Sequence, residues 1–291
     1  MAQVPKFVSC DWQEYMFSES SEPEIGQRLG IQYLQASQPF VTVKVGGAQL
    51  QLQQESMGLM AISGVVWDAG LLLVDFLQQL HDWGTGISGI NADVDVGDGG
   101  EAGVAGEAGA PCVGWDLGRV LDLGCGTGVA GVSAALLGAH SVVFTDIAKL
   151  DCLDENIGQL TGAGAGVVAG AVAGTQATFV AYEWGGAALP KALTHSAGQP
   201  LLWDTVLCSD LLYDEKHHAA LLGVLRRLSF SRAVFAYKKR HDGPERLFFS
   251  QLAVWCSVQV LDCESLQLCN LPPKSAQGLH IVLVRPLPLS S

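Results

Sequence analysis

The sequence predicts an α/β fold: a doubly wound sheet of seven strands, mostly parallel, with helices on both faces and an N-terminal β-hairpin extension. Three observations support this fold. Strand-like and helix-like segments alternate from residue 119 onward, a glycine-rich turn joins the first of these strands to its helix, and the two closing strands have no long helix between them. The closing strands are therefore expected to pair antiparallel at one end of the sheet.

The segments before the sheet are of two kinds. Residues 39–54 alternate apolar and polar side chains around two adjacent glycines, which predicts a hairpin, and residues 70–80 place large apolar side chains at helical spacing. We assign 39–83 to an extension that packs on the core. Residues 1–38 are assigned to an N-terminal segment that is partly disordered.

Two stretches of low complexity interrupt the pattern. Residues 84–113 consist largely of Gly, Ala, Asp and Glu and cannot bury enough apolar surface to order themselves, so a disordered insertion is expected there. Residues 161–176 form a second insertion, rich in Gly, Ala and Val. The sheet itself is assigned to residues 114–286.

The core segments follow in chain order. Strands are predicted at residues 119–123, 141–146, 177–182, 203–210, 231–238, 258–262 and 280–284. Helices are predicted at residues 129–137, where Gly138 ends the helix, at 148–160, around 221–228, and near 248.

Composition limits the kinds of partner. The formal net charge is −13, but ten of the 29 acidic residues lie in 11–24 and 91–107, which contain no Lys or Arg. Without those ten charges the net value is −13 + 10 = −3. A strongly basic face that would bind a phosphate backbone is therefore not indicated, and no nucleic-acid partner is expected.

The cysteines and the apolar runs bear on location. The eight cysteines form no C-x-x-C pair and have no paired histidine spacing, so neither a metal site nor a disulfide framework is expected, and buried thiols suit a reducing compartment. No apolar run reaches membrane-spanning length. We expect a monomer that has no membrane partner. We expect it to lie in the cytoplasm, with the nucleus as a second location.

The glycine-rich turn, DLGCGTGVAG at residues 122–131, predicts a cofactor site. Such a turn lets backbone approach a ligand closely and directs helix N–H groups at it. About twenty residues on, Asp146 ends the second strand, where a carboxylate can accept hydrogen bonds from ribose hydroxyls. Both NAD and S-adenosylmethionine carry that ribose, so these residues leave the two cofactors open.

Three features favour S-adenosylmethionine. Asp122 ends the first strand, where its carboxylate would suit an amino-acid ammonium group and would repel a pyrophosphate. The chain after the turn is too short for the separate substrate domain of a dehydrogenase. Residues 209–213, SDLLY, follow a central strand, where open α/β sheets bind their ligands.

An ordered set of motifs carries a family resemblance. The motifs are GVVWDAG (64–70), VLDLGCGTGVAG (120–131), Thr145-Asp146 with Asn156, EWG (183–185), SDLLY (209–213), and YKKR with a following FF (237–249). Through them the chain resembles the seven-β-strand, family-16 protein-lysine methyltransferases, with D-x-x-Y as the more specific signature. The resemblance implies a Rossmann-like sheet, S-adenosyl-L-methionine as cofactor, and a protein substrate that carries the acceptor lysine.

The resemblance also implies roles for individual residues. Gly124, Cys125 and Gly126 would contact the methionine and ribose portions of the cofactor, and Asp146 would hold the ribose hydroxyls. Trp184 and Ser209 would border its adenine or methionine end, and Trp67 would close the pocket from the hairpin side. Tryptophan faces suit a purine or a sulfonium cation, although both tryptophans could equally fill the core.

The catalytic candidates are Asp210 and Tyr213. The carboxylate of Asp210 can accept a hydrogen bond from the acceptor amine and direct its lone pair at the methyl group, while Tyr213 orients the amine and lines an aromatic slot. We assign Asp210 no general-base role, since a carboxylate is ordinarily too weak a base. The alternative for Asp210 is an N-cap of the helix that follows. Leu211 and Leu212 replace the prolines typical of enzymes that methylate nucleic-acid bases.

Other candidates are weaker, and other functions stay open. His217 and His218 are adjacent and lack the i, i+4 spacing of a metal pair, and Cys125 is interpreted as a small residue in a tight turn. The basic run 238–241 is interpreted as a solvated strand end near the substrate rim. The alternatives are an NAD(P)-binding oxidoreductase, a methyltransferase for small molecules or nucleic acid, and a cofactor-binding scaffold without catalysis. The acceptor could also be arginine or histidine.

Overall fold

The computed structural model describes residues 7–8, 38–55, 62–84, 115–161, 175–240, 242–261, 263 and 266–288. Most of the predicted N-terminal segment and most of both predicted insertions lie outside these ranges. In the described part of the chain, no helix combines the length and the apolar composition needed to cross a bilayer.

The described residues form twelve strands and six α-helices. The strands are β1 (Phe7–Val8), β2 (Phe40–Val45), β3 (Ala48–Gln53), β4 (Arg119–Leu123), β5 (Ser141–Asp146), β6 (Gln176–Ala181), β7 (His195–Ser196), β8 (Gln199–Pro200), β9 (Thr205–Ser209), β10 (Ala233–Lys238), β11 (Cys256–Leu261) and β12 (Leu279–Pro286). The helices are α1 (Asp68–Gly84), α2 (Val129–Leu136), α3 (Asp151–Gly158), α4 (Lys191–Thr194), α5 (His218–Arg227) and α6 (Asp242–Leu252).

One large sheet organises the molecule, with strand order β1-β11-β12-β10-β9-β4-β5-β6. The five strands from β6 to β10 along this order pair in parallel, whereas β12 runs antiparallel to both of its neighbours. The predicted fold is confirmed: a mostly parallel sheet of seven strands ends in an antiparallel pair, and β1 adds two residues at that edge. The chain runs outward from β4 to β6 and then returns to β9 on the other side of β4. This reversal creates the crevice in which open α/β sheets bind ligands.

Helices cover both faces of the sheet because its central strands β4, β9 and β10 bury side chains on both sides. Helices α1, α2 and α3 contribute to one apolar cluster together with the β2–β3 hairpin, and α4, α5 and α6 contribute to a second cluster on the other face. Helix α2 is buried along its whole length, and α1 is buried from residue 68 to residue 77, with Leu71, Leu72 and Leu73 almost without solvent exposure. Helix α1 extends beyond the predicted segment 70–80 at both ends.

The hairpin extension is tied to the sheet by a buried amide. Gly46 and Gly47 form its two-residue turn with φ values of 59° and 75°, which favour glycine. The buried amide belongs to Asn156, a fully buried residue of α3 that contacts the end of β3. Its Nδ2 donates to the carbonyl oxygens of Gln53 (3.1 Å) and Thr127 (2.9 Å), and its Oδ1 accepts from the Gln53 amide (2.7 Å). One side chain thus joins the hairpin to the glycine-rich turn.

Two short elements were not predicted from the sequence, the β7–β8 hairpin and α4. Each offers two to four residues, too few for a periodic pattern. The predicted strand at 203–210 begins later, at Thr205, because Trp203 makes only an isolated bridge with Phe230.

Replacing Asn156 by Ala is expected to lower the free energy of unfolding by about 2–4 kcal/mol, because one buried and two partly buried backbone groups lose their partner. Chemical denaturation followed by circular dichroism measures the loss. Gln159→Ala is the matched control, since Gln159 makes the same pair of bonds with the backbone of Gln51 at an exposed position. Its expected cost is below about 1 kcal/mol, and equal losses in the two variants would contradict the role of Asn156.

Candidate active site

A cleft of about 690 Å³ lies at the carboxyl ends of β4, β5 and β9. All nine residues proposed from the sequence for cofactor binding and catalysis line it: Trp67, Gly124, Cys125, Gly126, Asp146, Trp184, Ser209, Asp210 and Tyr213. The extension supplies one wall, the glycine-rich turn the floor, and the segment after β9 the far end. The structure therefore brings together side chains that are separated by up to 146 residues in sequence (213 − 67).

The floor of the cleft is formed by the backbone of the glycine-rich turn, which lies in close contact with neighbouring chain segments. Gly126 adopts a left-handed φ of 52°, and a Cβ added there would approach the backbone oxygen of Ser63 to 2.5 Å. A Cβ at Gly124 would lie 2.7 Å from Leu211 Cδ2 and 3.0 Å from Trp184 Cζ2. Only glycine fits at either position, so a ligand can lie directly on the peptide backbone of the turn.

Asp146 connects this floor to the end of β5. Its Oδ2 accepts from the Gly126 amide at 2.9 Å and its Oδ1 from the Ile147 amide at 2.8 Å. Burial raises the pKa of Asp146, although the two amide bonds oppose that shift. Each carboxylate oxygen keeps a further lone pair, so the group can still accept hydrogen bonds from hydroxyls in the cleft.

Ile147 is a lining residue that the sequence analysis missed. Its side chain is 65% exposed at the edge of the cleft, unusual for isoleucine, and presents an apolar surface beside Asp146. The available signal was an apolar residue immediately after the acid that ends β5. An apolar contact at this point suits the flat face of a purine attached to the ribose.

The interpretation of Asp122 requires a correction. Asp122 is fully buried and does not line the cleft. Its Oδ2 instead accepts from the Gly131 amide in α2 at 2.9 Å, and its Oδ1 has no hydrogen-bond partner among the described residues. Burial raises its pKa to about 7, with a smaller contribution from the charge of Asp146. The side chain supports the turn from below, because alternation along β4 turns it toward the helix layer.

The wall opposite the extension is braced by an arginine. Arg227 in α5 donates through Nη1 to the carbonyl oxygen of Gly186 at 2.9 Å and through Nη2 to the hydroxyl of Tyr182 at 3.1 Å. Trp184 lies between these two anchors and is half-buried, with one part packed on the apolar cluster and another in the cleft. Trp184 therefore both fills the core and lines the cleft.

Asp210 lies in an unusual backbone conformation at the end of β9. Its φ is 53°, in the left-handed region that few non-glycine residues adopt, and its amide donates to the Ala236 oxygen at 2.7 Å. The N-cap alternative is not what the structure shows, since Asp214 provides that cap by accepting from the Lys216 amide at 3.1 Å. Strained backbone of this kind clusters at functional sites.

The carboxylate of Asp210 is paired with Arg240. The two guanidinium nitrogens Nη1 and Nη2 donate to Oδ1 and Oδ2 at 2.9 and 2.8 Å, a bidentate ion pair. The interpretation of the basic run 238–241 as a solvated strand end is therefore wrong for Arg240, which lines the cleft. Sequence spacing gives no signal that would pair two residues thirty positions apart.

Tyr213 forms the open end of the cleft. The side chain is 41% exposed, and its ring lies 6.4 Å from that of His217, which also lines the cleft. Burial raises the pKa of the Tyr213 hydroxyl, as do the nearby charges of Asp146, Asp214 and Asp210. The hydroxyl thus remains protonated and can donate or accept a hydrogen bond near neutral pH.

Two further candidates have ordinary structural roles. His218 is buried, with Nε2 3.3 Å from the Leu212 oxygen, and it does not share a face with His217. Across the described ranges no group of three or more His, Cys, Asp or Glu could hold a metal ion. Burial, with Asp122 and Asp146 nearby, raises the pKa of the Cys125 thiol well above its ordinary value, which makes it a poor nucleophile.

The parallel sheet, its reversal at β4 and the glycine-floored cleft define the class of protein as a Rossmann-like fold that binds a nucleotide-containing cofactor. The sequence model of a family described as lysine methyltransferase matches residues 45–255, more than half of the chain. The protein belongs to this lysine methyltransferase family, so it is a methyltransferase that depends on S-adenosylmethionine. Its membership excludes the oxidoreductase alternative.

Several solved structures are similar to this chain. Human methyltransferase 10 domain containing protein is 10% identical, with 91% of this chain and 99% of that one covered and a TM-score of 0.44. SMU.776, a candidate methyltransferase solved with SAH, is 13% identical, with coverage of 85% and 56% and a TM-score of 0.45. An rRNA methylase from Escherichia coli is 18% identical, with coverage of 58% and 57% and a TM-score of 0.34.

Gly126→Ala is expected to weaken binding of S-adenosylhomocysteine at least about tenfold, because the new Cβ meets the Ser63 backbone and pushes the turn into the cleft. Isothermal titration calorimetry measures the affinity. Gly198→Ala is the matched control: Gly198 also has a left-handed φ, 78°, but an added Cβ there meets nothing within 4 Å. Equal affinities in the two variants would show that the cleft does not depend on this close approach.

Asp122→Asn is expected to gain stability over the wild type as the pH rises. The folded-state pKa of about 7 lies above the ordinary 3.8, so the native state favours the protonated acid and loses stability as the pH climbs toward 7. An amide avoids this loss and can still accept from Gly131. The stability difference, measured by urea denaturation, should grow by about 2–3 kcal/mol between pH 5 and pH 8. Parallel curves would contradict the buried, protonated state.

Proposed function

We propose that the protein transfers the methyl group of S-adenosylmethionine to a lysine side chain of another protein. The observation that carries this proposal is the shared cleft: Asp146 and the glycine-rich turn line one end, while Asp210 and the exposed Tyr213 line the other. A cofactor and an acceptor side chain can therefore meet between these two ends.

The residues at the closed end fit the cofactor. Gly124, Cys125 and Gly126 would lie beneath its methionine and ribose portions, and Asp146 would accept hydrogen bonds from the ribose hydroxyls. Trp67, Trp184 and Ser209 would enclose the remainder; all of these residues line the cleft. When bound, the cofactor supplies a methyl group on a sulfonium centre together with its own leaving group.

The residues at the open end fit an amine acceptor. A lysine ammonium has an ordinary pKa near ~10.4, so forming the neutral amine at pH 7 costs about 4–5 kcal/mol. Partial desolvation beside the ring of Tyr213 lowers this cost. The Asp210 carboxylate, which is 7% exposed, can accept an N–H of the amine and turn its lone pair toward the methyl group.

Two observations support a protein over a nucleic acid as substrate. The matched family is described as lysine methyltransferase. In addition, Leu211 and Leu212 are buried, and Leu211 lines the cleft against Gly124, so this segment offers apolar packing where a flipped base would need an open stacking slot. An RNA acceptor is the competing outcome of the experiment below.

Asp210→Asn is expected to label protein about 100-fold more slowly than the wild type while binding S-adenosylhomocysteine within about threefold. The assay is transfer of isotope-labelled methyl groups into a lysate of cells that lack the protein, with the modified residue located by mass spectrometry. Asp214→Asn is the matched control, since it changes a carboxylate of the same segment that does not line the cleft.

Three results would count against the proposal. Label in RNA and not in protein would remove the protein acceptor. Label on arginine or histidine would change the acceptor side chain. Equal rates for Asp210→Asn and the wild type would remove Asp210 from the site.

A further inference from the structure

The pair formed by Asp210 and Arg240 is built into the end of the sheet. Arg240 follows β10, and its Nη1 also donates to the Lys238 oxygen at 3.2 Å. Its backbone amide donates to Oε1 of Glu245, a buried residue of α6, at 2.9 Å. The Lys238 amide lies 3.4 Å from Asp210 Oδ1. Strand, loop and helix therefore fix the guanidinium in place, and its side chain is 29% exposed toward the cleft.

Other charged or titratable groups surround the pair on every side. They are Asp146 from β5, Tyr213, Asp214 and His217 from the segment after β9, Lys238 from β10, and Glu245 from α6. Burial alone would lower the pKa of Arg240, but the hydrogen bonds and charge of Asp210, aided by Glu245, raise it. Arg240 is therefore a permanent cation in the acceptor end of the cleft.

The charge of this cation bears directly on the acceptor. A lone carboxylate beside a lysine would stabilise the ammonium form, which has no lone pair and cannot accept a methyl group. The ion pair has no net charge, so that stabilisation is largely removed. The bidentate contact occupies one lone-pair site on each oxygen of Asp210, and the Lys238 amide contacts Oδ1 as well, so Oδ2 keeps a site for a further N–H donor.

We propose that Arg240 is a positioning residue, which fixes the plane of the Asp210 carboxylate and balances its charge so that the acceptor binds there as a neutral amine. This inference rests on the lysine acceptor proposed above. The amine loses its proton to water before the methyl group arrives, its nitrogen lone pair forms the new N–C bond, and the S–C bond electrons remain on the departing sulfur. The methylated nitrogen then carries the positive charge that the sulfur has lost, so one proton is released for each methyl group transferred.

A pH profile distinguishes this role from a purely structural one. Without the cation, the acceptor keeps its proton to higher pH, by about one unit. Where desolvation lowers the pKa of the acceptor to about 9 in the wild type, Arg240→Gln should label protein about tenfold more slowly than the wild type at pH 7, and the deficit should close to less than about threefold by pH 10. Arg240→Lys keeps the positive charge but loses the bidentate contact of the guanidinium group with Asp210. Its labelling rate should therefore fall by a smaller factor, and that factor should not vary with pH.

The experiment uses the full-length protein, the lysate of cells that lack it as acceptor, and quantification of the labelled lysine between pH 6.5 and pH 10. Lys239→Gln is the matched control, because it removes a neighbouring positive charge outside the cleft lining, and it should follow the wild type. Thermal unfolding and calorimetry with S-adenosylhomocysteine establish that each variant is folded and binds the cofactor product.

The outcomes separate the two proposals. A deficit of Arg240→Gln that stays constant over the pH range, or an Arg240→Lys variant no better than Arg240→Gln, would overturn the role of Arg240 while leaving the lysine acceptor intact. A wild type that labels no lysine would overturn the lysine acceptor, and with it this inference. A deficit that closes with rising pH in Arg240→Gln alone supports the proposal.

Discussion

The close approach of backbone at the glycine-rich turn is the constraint on which the cleft depends. The Gly126 amide is held by Asp146 on one side, while the Ser63 oxygen occupies the space of a side chain on the other. Three separate chain segments, from the extension, from β4 and from β5, therefore meet at one peptide unit. Any atom added between them must displace one segment, so the floor of the cleft is peptide backbone of fixed shape.

The same constraint makes the extension part of the site. Ser63 and Trp67 precede the core in sequence, yet they line the cleft, and Asn156 bonds the hairpin to the oxygen of Thr127 within the turn. Because the amide of Asn156 is fully buried, it cannot exchange these partners for water. The hairpin, α3 and the turn thus behave as one structural unit, and the position of Trp67 follows from packing beneath the sheet.

Sequence patterns predict the sheet well because periodicity and chain order determine where strands end. Gly124 follows a predicted strand, and Asp146 and Asp210 each end one. Because parallel strands place their carboxyl ends at one edge, the sequence predicts that these residues meet in a cleft. The contacts of two charged side chains, Asp122 and Arg240, were not predicted correctly. Asp122 turns away from the cleft, and Arg240 turns into it to pair with Asp210. Such pairings depend on side-chain direction across non-neighbouring segments, which spacing does not encode.

Two kinds of chain segment line the cleft, a tight backbone turn and side chains on the segments that follow β9 and β10. Gly124 and Gly126 contribute backbone to the turn, and Asp146 is held by amides, so substitutions at these three positions disturb the turn itself. Tyr213 and Arg240 contribute side chains, and Tyr213 is widely exposed. Substitutions of these two side chains change the charge and shape around Asp210 without adding an atom to the glycine floor, because neither residue supplies backbone to the turn.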